Sequence, residues 1–360
     1  MEVSVDKIRG LSKKKGFLFW VIALTIILAG TVVGAIAIGS TYIEPGEVYK
    51  VLLNKLTNGA LFSGVGEVMT QNIIWEIRFP RVLLGAICGA GLAICGVLMQ
   101  CVTKNPIAEP YILGISSGAS CGAVATIVLG GVASLGINSI TTGAFVGSMV
   151  SGVLVFAIGT QMGKTTSTTR LVLTGMAIST IFSALTNLLI YSAKNSNQAK
   201  NALFWTIGSL GGAKWDVLLI PFIVLILVII VSFVMSKSLD ILLLGDDSAI
   251  ILGINVKLIK SIILVLSTLL TATLVAITGA IGFIGLVVPH ICRTIAGSDH
   301  KKLIVLSSLI GAIFLILSDV LARGLFPPIE IPIGIITALI GGPFFLYLIS
   351  KKNYSFGGRD

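Results

Sequence analysis

Long apolar segments occupy most of this 360-residue sequence, and they constrain its fold more than any other feature. A helix needs about 20 mainly apolar residues to cross the hydrocarbon core of a bilayer. Ten segments meet this requirement, namely 17–40, 81–102, 111–130, 139–160, 170–191, 216–236, 257–278, 280–297, 302–321 and 331–350. The seventh and eighth are nearly continuous. The sequence therefore predicts an all-α, polytopic integral membrane protein with about ten transmembrane helices.

The composition predicts a single membrane domain between two short tails. Hydrophobic residues make up 55% of the sequence and charged residues 11%, whereas about 25% of a soluble domain is charged. We predict an N-terminal tail at 1–16, one ten-helix transmembrane domain at 17–350 and a C-terminal tail at 351–360. The first apolar run exceeds the roughly 7–15 residues of a signal-peptide core, so we interpret it as a retained span. The five cysteines lie in or at the ends of runs without metal-ligand spacing, which favours a packing role.

Basic residues are distributed unequally between the two sides of the predicted bundle. With the N-terminus inside, the inner segments hold 17 of the 25 lysines and arginines. Inner loops of membrane proteins are enriched in these residues, so a topology with both termini cytoplasmic is favoured. This bias also explains the formal net charge of +10, and no nucleic-acid partner is indicated.

The segment LGDDSAIILGINV (244–256) lies between two apolar runs but is too short to cross a bilayer. Asp246 and Asp247 are suited to cap a short helix and to complement its dipole, and Gly253 is suited to its C-terminal end. Apolar side chains of this helix then need a hydrophobic surface; they are Ala249, Ile250, Leu252 and Ile254. The residues alone favour a cytosolic partner and the underside of the membrane domain about equally.

Charged side chains are scarce in the apolar runs, which bears on the class of function. A charge at mid-membrane costs about 2.5–3.5 kcal/mol. Asp319 and Glu109 lie near the ends of runs, and the interiors carry neutral groups such as Gln100 and Asn187. Ion-coupled carriers usually need buried acids, and the sequence has no HExxH or GxSxG motif of an enzyme. A carrier driven by an ion gradient and a non-transporting scaffold remain the alternatives to the function that follows.

Four blocks of sequence resemble a known family. They are RFPRVLLGAICGAGLAICGVLMQCVTKNPIAEPYILGISSGAS (78–120), LGDDSAIILGINV (244–256), GFIGLVVPHICRTIAGSDHKKL (282–303) and DVLARGLFPPIEIPIGIITALIGGPFFLYLI (319–349). In content and order they resemble the permease subunits of ABC importers for iron chelates (siderophores, haem) and vitamin B12. The resemblance runs from about Arg78 to Leu348. It implies ten transmembrane helices, in agreement with the ten runs.

The resemblance assigns roles to residues at three places. It implies that the loop at 238–256 holds a coupling helix that docks on an ATPase subunit, with Gly245, Asp246, Asp247, Ser248, Leu252 and Gly253 as the matching residues. Outer-face arginines are implied to pair with acidic residues of a substrate-binding protein; they are Arg78, Arg81 and Arg323. Anchoring at lipid headgroups is the alternative for these arginines. The implied inner gate consists of Asn105, Ile107, Thr168 and Thr169.

The resemblance also implies the partners and the cargo. A second permease subunit, identical or paralogous, would complete a pathway lined by the fifth run, and residues 201–217 would shape the outer vestibule. Two cytosolic ABC ATPase subunits would bind ATP, an extracytoplasmic binding protein would deliver the cargo, and this chain would hold no cofactor. A ferric siderophore is the first expectation for the cargo, with haem or cobalamin as alternatives. The expected location is the cytoplasmic membrane of a bacterium or archaeon.

Overall fold

The computed structural model describes residues 2–39, 41–62, 67–130, 139–160 and 168–351, so most of the predicted C-terminal tail lies outside the described residues. Its α-helices are α1 (Glu2–Ala37), α2 (Pro45–Leu56), α3 (Val68–Asn72), α4 (Phe79–Thr103), α5 (Ile115–Leu129), α6 (Ser139–Thr160), α7 (Thr168–Tyr191), α8 (Ser196–Ile207), α9 (Trp215–Leu242), α10 (Asp246–Ile251), α11 (Val256–Thr278), α12 (Ile284–Ala296), α13 (His300–Gly324) and α14 (Ile333–Lys351). A π-helical segment, Ile73–Arg78, joins α3 to α4, and a 3₁₀ turn, Pro110–Leu113, precedes α5. Within these ranges no strand forms beyond one isolated bridge, which confirms the all-α prediction.

Each of the ten predicted runs contains one helix, but two of these helices are short. Eight helices are long and apolar enough to cross a membrane. By contrast, α5 has 15 residues and α12 has 13, fewer than the roughly 20 needed for a full crossing. The predicted runs 111–130 and 280–297 therefore combine a short helix with non-helical backbone before it. The short helices α2, α3 and α8 also lie outside the predicted runs.

Helix α4 lies at the centre of the bundle because its sequence is rich in small residues. Its most apolar window is 83% buried, and it contacts α9, α11, α12 and α13. Gly89 lies directly against the carbonyl group of Gly311 on α13, and Gly96 against that of Gly285 on α12. Small residues let membrane helices approach closely, where dispersion forces act over short distances. The same close approach occurs between α5 and α6, where Gly118 meets Gly147.

Two irregular segments precede the short helices α5 and α12. Residues 104–114 lead from α4 to α5, and residues 279–283 lead from α11 to α12. The Tyr111 hydroxyl joins them: it donates to the Ile281 carbonyl oxygen at 2.8 Å and accepts from the Ile281 N–H at 3.1 Å. Non-helical backbone is tolerated at membrane depth only where protein groups satisfy its hydrogen bonds.

The two ends of α4 identify the two faces of the bundle. Near its N-terminal end, Arg81 forms an ion pair with Asp319 in the C-terminal part of α13. Its C-terminal end is followed by Lys104, which meets Asp246 of α10. We call the first end the outer face and the second the inner face, because the basic inner segments place Lys104 in the cytoplasm.

Close packing of α4 yields a stability prediction. A Cβ atom at Gly96 would overlap the backbone of Gly285, and overpacking of this kind costs about 1–3 kcal/mol. We expect Gly96→Ala to lower the midpoint of thermal unfolding in detergent. Gly34→Ala on α1 is the matched control because a Cβ at Gly34 meets no atom within 4 Å. Equal midpoints for the two variants would contradict this account of the packing.

Candidate functional site

Helix α10 is a six-residue helix on the inner face, and glycines set both of its ends. Gly245 precedes it with a φ of 117°, and Gly253 follows it with a φ of 82°. These values lie in backbone regions that glycine adopts without steric cost. The Ile254 N–H reaches back to the Ala249 carbonyl oxygen at 2.9 Å and closes the C-terminal end. The predicted position of Gly253 at the C-terminal end of the helix is confirmed.

The carboxylate of Asp246 does not cap α10, which corrects the sequence prediction. Neither Asp246 nor Asp247 provides a side-chain cap, since the N-cap residue is Gly245. The Asp246 carboxylate instead lies 2.6 Å from Lys260 Nζ and 2.9 Å from Lys104 Nζ. Burial acts to raise the pKa of Asp246, but hydrogen bonds from the two lysines outweigh it and hold this pKa below its ordinary value. The Asp246 carboxyl group is therefore ionised at neutral pH.

Apolar side chains cover the exposed side of α10. Ala249 faces inward and is completely buried, whereas Ile250 and Leu252 are 57% and 58% exposed. Ile251, which the sequence analysis did not select, is 85% exposed. Leu244, just before the helix, is 66% exposed. We call these four exposed residues the α10 apolar patch. An exposed apolar patch of this kind on an inner loop is typical of a protein-binding surface.

The predicted inner-gate residues lie in two separate segments on the inner face. Asn105 follows α4, and its side-chain oxygen accepts a hydrogen bond from the Ile107 N–H at 3.1 Å. Thr168 begins α7, and Thr169 is exposed in its first turn. The segment 104–114 packs on α7 through the 3₁₀ turn, where Gly175 lies directly against the Ile112 carbonyl. The structure thus places the segment 104–114 and the start of α7 at the inner face, and the two segments are in contact at Gly175.

The outer arginines make their hydrogen bonds within the chain, and their docking to a binding protein stays a prediction. Arg78 is 5% exposed and Arg323 is 7% exposed. Arg78 Nη1 donates to the Ile36 carbonyl oxygen at 2.6 Å, and Arg323 Nη2 donates to that of Ala35 at 3.0 Å. These carbonyls belong to the last turn of α1, whose free acceptors attract cations. Arg78 and Arg323 therefore hold the C-terminal end of α1 in place.

Two acidic residues pair with two of these arginines, and we call Arg78, Arg81, Asp319, Arg323 and Glu330 the outer cluster. Asp319 lies 3.0 Å from Arg81 Nη2 and 2.9 Å from Arg323 Nε, and its side chain is 3% exposed. Arg81 also pairs at 2.9 Å with Glu330, whose side chain is 50% exposed. The sequence analysis missed Glu330 because its partner is 249 residues away. Arg81 thus reaches the surface only through Glu330.

Polar residues of α7 form an exposed stripe without charge. Thr180, Ser183 and Asn187 are exposed and, at spacings of three and four residues, share one face of the helix. From 171 to 191 the α7 sequence has no ionisable group other than Tyr191. A cavity of about 720 Å³ lies near the outer end of this region, between Gln198 and Trp205 of the α8 segment and Glu330.

Comparisons with known proteins identify the family. A family model described as the FecCD transport family matches residues 24–351. The chain belongs to the FecCD transport family. It is 40% identical over 291 residues to a cobalamin import system permease of Halobacterium salinarum, covering 80% of this chain and 76% of the relative. It is 36% identical over 332 residues to the hemin transport system permease of Yersinia pestis, covering 91% and 94% of the two chains.

A solved structure agrees with this family assignment. The chain matches an inward-facing metal-chelate type ABC transporter with a TM-score of 0.79 and 31% identity, over 92% of this chain and 99% of the other. This FecCD member is therefore a multi-span permease of the cytoplasmic membrane, of the type found in iron-chelate and vitamin B12 ABC importers, and ATP hydrolysis belongs to a separate subunit. The resemblance found in the sequence is confirmed, and a carrier driven by an ion gradient is not favoured.

The outer cluster yields a second prediction. In Asp319→Asn, two buried arginines lose their shared counter-ion, and breaking a buried ion pair from one side costs about 3–5 kcal/mol. We expect a large fall in the thermal unfolding midpoint in detergent. Glu330→Gln is the control, because a pair with one exposed partner contributes about 0–1 kcal/mol. Similar midpoints for the two variants would show that Asp319 does not organise the cluster.

Proposed function

We propose that this FecCD permease forms the import pathway for a ferric chelate, together with a second permease subunit and two cytosolic ABC ATPases. A ferric siderophore is the expected cargo, ahead of haem and cobalamin. The observation that carries the proposal is the α10 apolar patch, in which Ile251 is 85% exposed on the inner face. Closure of the two ATPases on ATP would move α10 and alternate access between the two faces.

The α10 apolar patch is suited to an ATPase groove in shape and chemistry. It projects from a short helix that is held to the bundle by the ion pairs of Asp246 with Lys104 and Lys260. Apolar side chains that project from a fixed helix are typical anchors in hydrophobic grooves. Asp246 is occupied by Lys104 and Lys260, which leaves Asp247 as the exposed acid of α10.

The α7 stripe supports a bulky chelate as cargo. Polar side chains are unfavourable against lipid, so this face is expected to line a hydrated pathway beside the second subunit. Because Thr180, Ser183 and Asn187 carry no charge, the wall offers hydrogen bonds without a fixed ionic site. A translocation pathway must release its cargo, and weak contacts along the wall permit release.

Delivery at the outer face by an extracytoplasmic binding protein is part of the proposal. The exposed groups there include Glu330 and the lysines near α8, Lys194 and Lys200. These groups are accessible, in contrast to Arg78 and Arg323. The binding protein would release its cargo above the cavity lined by Gln198 and Trp205.

The test changes one residue of the α10 apolar patch. A charge at the centre of an apolar interface removes a contact worth more than about 2 kcal/mol, so Ile251→Glu should lose the ATPase on co-purification from the native membrane. The same strain should lose uptake of one of three labelled probes, a ferric siderophore, haem or cobalamin. Ile251→Leu is the control and should retain both properties.

The outcomes separate the parts of the proposal. If Ile251→Glu loses uptake of haem or cobalamin, and no strain takes up the ferric siderophore, the cargo assignment changes and the proposed ATPase docking stands. Normal ATPase recovery with Ile251→Glu would remove the docking surface. Uptake that continues in a strain without the ATPase would contradict an ATP-driven importer.

A further inference from the structure

The inner face contains an ion pair that joins two functional elements distant in the sequence. Lys104 Nζ lies 2.9 Å from Asp246 Oδ1, and the two side chains are 37% and 38% exposed. Asp246 is the first residue of α10. Lys104 directly precedes Asn105 in the segment 104–114, which bears the predicted gate residues Asn105 and Ile107. The pair therefore connects the proposed ATPase-binding helix to the proposed gate.

The backbone at Lys104 is unusual in a way that favours a role for its side chain. Lys104 ends α4 in the left-handed conformation, with a φ of 49°. Glycine or asparagine is usual at such positions, since other residues in this conformation are strained by about 1–3 kcal/mol. The Asn105 N–H still closes the end of α4 by donating to the Gln100 carbonyl oxygen at 3.2 Å. A lysine here directs its ammonium group toward α10.

The segment after Lys104 is built to move as one unit. The Asn105 side chain accepts from the Ile107 N–H, and the Ala108 N–H donates to the Asn105 carbonyl oxygen at 3.1 Å. Ala108 is completely buried. A displacement at Lys104 is therefore passed to Ile107 by a hydrogen-bonded turn with little freedom of its own.

The second lysine at Asp246 serves a different connection. Lys260 lies on α11, 14 residues from Asp246, and is 3% exposed. Its 2.6 Å contact joins α10 to the helix that directly follows it in the chain. Lys260 thus fixes α10 locally, whereas Lys104 makes the long-range contact with the segment 104–114.

We propose that Lys104 is a positioning residue of the transport cycle, whose ion pair with Asp246 transmits movement of α10 to the gate residues Asn105 and Ile107. The inference rests on the proposed docking of an ATPase on α10. When ATP draws the ATPases together, α10 carries Asp246, and Lys104 moves with it. The segment 104–114 then changes the access of Ile107 to the cytoplasm.

The experiment measures the gate without needing the cargo. Ile107→Cys is introduced into a Cys121→Ser background, because the other natural cysteines are buried. The reconstituted permease–ATPase complex is treated with a membrane-impermeant maleimide from the inner side, with and without Mg-ATP. ATP hydrolysis is recorded in the same samples, so a loss of docking is distinguished from a loss of gate response.

The expected result is specific to Lys104. In the reference protein, Mg-ATP should slow labelling of the cysteine at position 107 by about fivefold, within the usual range of coupling between sites. Lys104→Gln should hydrolyse ATP but lose most of this change, and Lys104→Arg should restore it. Lys260→Gln should keep the change, since it leaves the Lys104–Asp246 pair intact. If Lys104→Gln does not assemble, Lys104→Met takes its place with the same expected loss.

Three results would overturn the inference while leaving the proposed function intact. One is an unchanged ATP response in Lys104→Gln or its substitute. Another is an equal loss in Lys260→Gln, which would assign the effect to general stabilisation of α10. The third is an ATPase that hydrolyses ATP on the reference protein with no change in labelling at position 107. Absence of the ATPase from the reference complex would instead contradict the proposed function.

Discussion

Every backbone polar group within the membrane needs a hydrogen-bond partner, and the Tyr111 hydroxyl is the partner of two such groups. It binds both the N–H and the carbonyl oxygen of Ile281, in the irregular segment between α11 and α12. Without lipid-side water, an unpaired amide here would cost several kcal/mol. This contact ties the segment 104–114 to the break between α11 and α12, where it satisfies backbone groups that no helix pairs. The turn after α8 also contacts this region, because the Ser209 N–H donates to the Thr278 carbonyl oxygen at 2.7 Å.

The two ion clusters differ in burial, and this difference fits different roles. Asp319 and Arg323 of the outer cluster have side chains 3% and 6% exposed, so separating them would leave buried charges without partners. Such a cluster is suited to a permanent joint between α1, α4 and α13. The Lys104–Asp246 pair is more than one-third exposed, and water can replace either partner at a cost of about 1 kcal/mol or less. A contact of this strength adjusts during a transport cycle without trapping one state.

Local sequence signals predicted local features, and long-range contacts determined the rest. The ten helices and the end of α10 at Gly253 follow from apolar length and from the conformational freedom of glycine. The role of Asp246 did not follow, because its strongest partners lie on other elements and compete successfully with the helix N-terminus. The resemblance implied a partner protein for Arg78, and nothing in the sequence indicated its acceptors within the chain, the last carbonyls of α1, 42 residues earlier. Alternation of polarity along the chain carries no information on such pairs.

The lengths of α5 and α12 could not be predicted for a related reason. Their sequences remain apolar across 111–114 and 280–283, where the structure has irregular backbone. Apolar composition reports burial in lipid or protein alike and does not specify the hydrogen-bonding pattern. Gly114 and Gly279, both with a φ of 69°, mark the breaks. Glycine is also abundant at helix contacts in this chain, so its presence alone did not distinguish a break from a packing site.

Packing divides the bundle into two groups and identifies where they can move relative to each other. Close glycine contacts join α4 to α12 and α13, and equally close contacts join α5 to α6 and the 3₁₀ turn before α5 to α7. The chain passes from the first group to the second through the segment 104–114, while α11 contacts both. Densely packed groups move as rigid bodies, so a change between their positions is absorbed by the connecting segments. The outer cluster immobilises the start of α4, so displacement concentrates at its inner end, where Lys104 meets α10.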